Sequence, residues 1–119
     1  MKATYWQKGV SIDYKNTTEA TIPAETIVDL GSRVGIAGTD ILPGEVGSLV
    51  TEGVFEMPKE ADSEIVIGAQ VYLGATGVIL TASTTEGEGN DAETTTYTPV
   101  GWAVEAASAS AATVKVKIG

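Results

Sequence analysis

Glycine or proline interrupts almost every apolar run in this chain before the run reaches helical length. With 14 glycines and 4 prolines spread among valines, isoleucines and threonines, the pattern predicts short strands joined by tight turns rather than helices. Strands are expected near residues 3–6, 10–14, 18–22, 27–30, 33–37, 48–56, 70–73, 77–82, 97–105 and 112–118. Their close, regular spacing points to an all-β chain, a small single-domain β-sandwich or partly open β-barrel with at most one short helix. The only helix candidate is "VEAASASAA" at 104–112, where a strand end followed by a turn fits equally well.

Individual stretches refine this. In "ATVKVKIG", Val114, Val116 and Ile118 alternate with Lys115 and Lys117, the mark of a half-buried strand. "LPGEVG" carries a turn, with Pro43 presetting φ and Gly44 taking the conformation other residues resist. A strand follows it, in which Gly53 signals a bulge or a close backbone approach. "YLGATGVILTA" reads as a hairpin with Gly74 and Gly77 adopting positive φ. Residues 83–96, "STTEGEGNDAETTT", hold four acids, no base and no large apolar group, so a mobile exposed loop over 84–95 is expected.

A chain of 119 residues buries roughly two-thirds of its unfolded surface, enough for one core spanning 1–119 without staples. It needs that core, because cysteine is absent and neither disulfides nor thiolate metal sites can help; the absence also points to assembly in a reducing cytoplasm. Histidine is absent as well, which removes the commonest general base and metal ligand. No apolar run is long enough to span a membrane and "MKATYWQKG" lacks a signal-peptide core, so a soluble, unexported protein without a membrane partner is expected.

The net charge of −9, with seven Lys and Arg in all, argues against nucleic acid as a partner. The charges are also unevenly placed. Lys2, Lys8 and Lys15 stand against Asp13 at the start, and Lys115 and Lys117 close the chain, while fifteen acids face Arg33 and Lys59 in between.

Candidate sites are few. "GSRVGIAG" has the glycines of a phosphate loop but neither its Lys-Ser/Thr ending nor a following helix, so turn geometry is preferred. Glu86, Glu88, Asp91 and Glu93 have no calcium-loop spacing and read as a hydrated excursion. Sixteen acids supply accidental pairs, none marked out for glycoside hydrolysis, and no catalytic residue, metal ligand or cofactor is assigned. "ATYWQKG" is different: an extended segment of two aromatics among lysines suits addition to a partner's sheet edge. Trp6 is either a core residue or part of a contact surface.

Taken in order, "MKATYWQKG", "IPAETIVDLGSRVGIAGTDILPGEVGSLVTEGVFEMPK", "GAQVYL" and "PVGWAVEAASASAATVKVKIG" resemble the capsid cement, or head decoration, proteins of tailed bacteriophages and prophages. The most specific blocks are "LGSRVGIAGTDILPGEVGSL", "GVFEMPK" and the closing basic strand, and residues 84–95 are longer and more acidic than the family pattern. The resemblance implies a β-rich, non-enzymatic virion protein, assembled in the host cytoplasm, that binds the outside of the shell and resists packaged DNA. Its partner would be the phage major capsid protein, and the protein would be a homotrimer at least on the capsid. On that reading Lys2, Tyr5, Trp6 and Lys8, in an extended arm over 1–9, contact the capsid. Val54 and Phe55 supply core or intersubunit contact. The basic ends would face the shell and the acidic middle the solvent. A rival reading is a carbohydrate- or surface-binding module using Tyr72, Tyr97 and Trp102, and a third is a hydrolase with paired carboxylates.

Overall fold

The alternation in the closing strand is realised side chain by side chain. In the computed structural model, which describes residues 1–119, Val114, Val116 and Ile118 are buried while Lys115 and Lys117 point outward. The chain is all-β, with one three-residue 3-10 turn at Gly89–Asp91 as its only helical element. In chain order the strands are β1 (Ser11–Lys15), β2 (Ile27–Asp29), β3 (Val34–Ala37), β4 (Val46–Val50), β5 (Gly53–Pro58) and β6 (Gln70–Leu73). They continue as β7 (Val78–Ile79), β8 (Ser83–Glu86), β9 (Glu93–Thr96), β10 (Pro99–Ala103) and β11 (Thr113–Ile118).

Three open sheets result, ordered β1-β4-β3-β2, β5-β11-β10-β6-β7 and β8-β9. The strand pairs β1–β4, β3–β4, β6–β10, β10–β11, β6–β7 and β8–β9 are all antiparallel. Residues group into two compact units, Met1–Val28 with Gly35–Gly53, and Asp29–Val34 with Val54–Gly119. The first buries Ile36, Ala37, Ile41 and Leu49; the second buries Met57, Ile65, Val71, Val78, Val100, Ala103, Val116 and Ile118.

Turns of one kind launch several strands. Leu42–Glu45 closes with Glu45 N–H donating to the Leu42 carbonyl at 3.0 Å, and Gly44 takes φ +79°, as the Pro-Gly pair predicts. Close approach explains other glycines. A Cβ at Gly101 would strike the Lys117 carbonyl of the neighbouring strand, and one at Gly35 would lie 2.5 Å from Leu49 Cγ.

Several expectations are corrected. Residues 3–6 and 18–22 form no strand; Ile22 makes only an isolated bridge to Ile41. The run 48–56 is two strands in different sheets: Thr51 still belongs to the first, its N–H donating to the Val10 carbonyl and its hydroxyl to that of Gly9, and the chain leaves it at Gly53, which takes φ +139°. The hairpin over 70–79 forms, but Gly74 and Gly77 do not take positive φ. They are needed for room: a Cβ at Gly74 would lie 2.7 Å from Glu60 Oε1, and one at Gly77 would lie 2.7 Å from the Pro58 carbonyl. Of the two readings of 104–112, strand end with turn is the one realised. Residues 83–96 are exposed as expected, yet they pair as a hairpin from Ser83↔Thr96 to Glu86↔Glu93, since threonine favours extended backbone even without a core.

Candidate functional site

The N-terminal arm is the most exposed apolar segment of the molecule. Residues 1–9 carry no secondary structure, and Tyr5 and Trp6 are 78% and 89% exposed. Trp6 is therefore no core residue of this chain. Lys2 and Lys8 are exposed beside these aromatics. The arm is fastened at its base, where Gly9 and Val10 accept hydrogen bonds from Thr51 and where Gln7 Nε2 donates to the Ser11 carbonyl at 3.3 Å. An extended backbone with free amides and carbonyls, two aromatic side chains and two ammonium groups is equipped to add to a sheet edge and fill a pocket.

Val54 and Phe55 lie at the start of β5, an edge strand of its sheet. Val54 is 55% exposed and Phe55 half-buried, so the two side chains differ: Val54 is presented to solvent and Phe55 is partly packed.

The structure brings two of the three aromatics of the sugar-binding reading onto one face. Trp102 is paired with Gln70 and Lys117, and Pro99 with Tyr72, so Trp102 and Tyr72 share the face opposite the buried Val71. Trp102 is 42% exposed and Tyr72 half-buried. Tyr97 stands outside this sheet, its N–H donating to the Ala82 carbonyl at the base of the hairpin. Pairing register was the missing signal, because the shift between Pro99 and Gly101 that aligns these side chains leaves no trace in composition.

The acids of residues 86–93 do not converge, and no group of three or more acidic side chains is placed to hold a metal ion. No sequence motif marks a groove of about 360 Å³ lined by Glu56, Glu105, Ala107, Ala111, Val114 and Lys115 among others. Lys115 Nζ lies 3.1 Å from Glu105 Oε2 there, with both side chains more than half exposed, so the pair contributes at most about 1 kcal/mol. Two polar residues are buried outright, Asn16 and Lys59. The Asn16 amide donates to the Ala20 and Ile41 carbonyls at 2.8 Å each, and its Oδ1 accepts from Thr18. Lys59 Nζ donates to the carbonyls of Glu60, Ser63 and Ala109. No helix is long and apolar enough to cross a membrane.

Compared with known proteins, residues 6–118 match the family model described as phage cement protein. No curated protein and no solved structure matches the chain.

Proposed function

Because the chain belongs to the phage cement protein family and so serves as a structural component of the phage capsid, we propose that it binds the outer surface of the assembled shell. There it holds the shell against the pressure of packaged DNA, without catalysing a reaction. The observation that carries this reading is the family match over nearly the whole length of the chain. The arm supports it, since Tyr5 and Trp6 are exposed and unused by the chain's own fold.

The partner is the major capsid protein, and the attached form is a homotrimer, which suits a symmetric lattice. Cement works through many modest contacts repeated over that lattice, so avidity replaces a single strong interface. Lys2, Tyr5, Trp6 and Lys8 make the shell contact, and Val54 and Phe55 contribute apolar surface between subunits. The acidic hairpin faces solvent, where like charges stay hydrated.

Co-sedimentation with DNA-filled and empty capsids of the same genome, at varied salt, tests this. Saturable binding at a fixed ratio per capsomer, lost on deleting residues 1–9, is the expected result; no binding to either capsid form overturns it. The shared outward face of Trp102 and Tyr72 favours sugar binding as the second reading, to be separated by a glycan-binding assay with Trp102→Ala as control.

A further inference from the structure

The two larger sheets repeat each other. Read in chain order, the first is built from four strands in the order first-fourth-third-second: β1-β4-β3-β2. The second has the same order in β5-β11-β10-β6, followed by β7 at its edge. Loop hydrogen bonds coincide as well. Ile22 and Ile41 exchange a pair of backbone bonds of 2.9 and 2.8 Å, and Ile65 and Ala107 exchange a pair of the same lengths.

From each bridging residue the chain enters a four-residue turn closed by the same kind of bond, with a positive φ at the third place in three of the four. Thr26 donates to Pro23, Glu45 to Leu42, Ala69 to Val66 and Ala111 to Ser108, all between 3.0 and 3.2 Å. Within two of the turns, Glu25 N–H donates to the Ala37 carbonyl at 2.7 Å, as Gly68 N–H does to that of Ala103. Ala37 N–H then returns to Thr26, and Ala103 N–H to Ala69, at 2.9 Å in both. Asn16 N–H reaches Glu45 at 2.9 Å where Lys59 N–H reaches Ala112 at 2.9 Å, one residue past the end of its turn, so the second motif has one extra residue before its last strand. The first halves of the two patterns are offset by a constant 43 residues, from Asn16 and Ile22 to Lys59 and Ile65.

We infer that the chain carries one four-stranded motif twice, and that the second copy is extended by an insertion between Leu73 and Thr98 that the motif itself does not need. In the first motif the corresponding connection is a tight one, closed by Leu30 N–H donating to Arg33; in the second, Leu73 N–H donates to Thr98 across the whole insertion. The insertion has two parts of different character. β7 joins the second sheet and buries Val78, so it has become part of that core. The hairpin Ser83–Thr96 buries no residue, pairs only with itself and is closed off at its base by the Tyr97–Ala82 bond.

The hairpin is therefore an accessory element, separable from the fold. On the reading that the chain is capsid cement, it is also separable from attachment to the shell, and it is the part of a bound subunit free for a second role.

Two variants test this. In the first, Asn-Gly replaces Ser83–Thr96, joining Ala82 to Tyr97 through a two-residue turn. In the second, the Val66–Ala69 turn receives its counterpart from the first motif, Pro23–Thr26, through Val66→Pro, Ile67→Ala and Ala69→Thr, with Gly68 kept at the place of Glu25. Both are expected to unfold cooperatively, with midpoints within about 5 °C of the parent. Loss of cooperative unfolding in the turn exchange overturns the repeat, and loss in the hairpin replacement overturns separability. Capsid co-sedimentation is then read on the folded hairpin variant beside the intact chain. Binding lost only in the variant overturns the accessory role, whereas binding absent in both counts against the cement reading and leaves the repeat standing on its unfolding data.

Discussion

Asn16 and Lys59 hold the same post in two copies of one motif. Each follows the first strand of its sheet, each is buried, and each side chain donates to a backbone carbonyl four residues further on, Ala20 for Asn16 and Ser63 for Lys59. A second bond reaches the far loop, to Ile41 and to Ala109 respectively. One post is filled by a neutral amide and the other by an amine, so position rather than chemical identity defines it. Both residues tie the connection after the first strand to the turn before the last.

Lys59→Met tests that post. The three carbonyls around Nζ stand in for the water a buried ammonium loses, so removing the amine strands acceptors instead of merely relieving a buried charge. A loss of about 2 kcal/mol is expected in urea unfolding. Lys59→Asn, which restores the donor used in the first motif, should lose about half as much. Equal losses for the two substitutions would mean that the amide does not serve there.

Glu25 takes φ +72°, while the equivalent place in two of the other turns belongs to Gly44 and Gly68, at +79° and +86°. A side chain in this region costs about 1–2 kcal/mol, and glycine gives back part of the gain through its freer unfolded state. Glu25→Gly is therefore expected to stabilise the protein by about 0.5–1 kcal/mol, seen as a higher urea midpoint with unchanged slope. A lower midpoint would show that the Glu25 side chain contributes more than its backbone strain costs.

How much of this was legible beforehand depended on whether a residue's role was local. The strand over 113–118 and the turn at Pro43-Gly44 follow from alternation and dihedral preference alone. The break between Val50 and Gly53 did not, because the two halves pair with strands far apart in sequence, β4 with β1 and β3 and β5 with β11. The hairpin at Ser83–Thr96 was hidden by polarity on both of its faces, which removes the alternation that marks a strand. Exposure of the arm does not follow from its residues, since Tyr5-Trp6 suits a core as well as a contact. The repeat was the least visible feature: it survives in backbone bonds, while the side chains at matching positions differ in size and charge.

Deleting residues 1–8 should leave stability almost untouched. The anchoring carbonyls belong to Gly9 and Val10, both retained, and Tyr5 and Trp6 bury little surface against the chain. The expected change is within about 0.5 kcal/mol in thermal or urea unfolding. Acrylamide quenching gives an independent check: Trp6 should be quenched readily and Trp102, at 42% exposure, less so, with Trp6→Phe removing the readily quenched component. A shielded Trp6 would mean that the arm folds back onto the protein.

One pair of sites is packed in opposite ways in the two motifs. In the first motif Ile41 is large and Gly47 has no side chain, and a Cβ on Gly47 would collide with Ile41. In the second motif the corresponding residues are Ala107 and Val114, small where the other is large; both are buried and both line the same groove. The same space is thus filled from one strand in one copy and from the bridge in the other. Ala107→Ile alone overfills the site and should cost about 1–3 kcal/mol, and Val114→Gly alone removes buried methyls and adds backbone freedom at a similar or greater cost. Together they recreate the arrangement of the first motif, so the double variant should be more stable than the sum of the single losses implies, by about 1 kcal/mol or more. A double-mutant cycle in urea measures this coupling directly. Simple additivity would show that the two copies, though alike in backbone, do not share a common packing site.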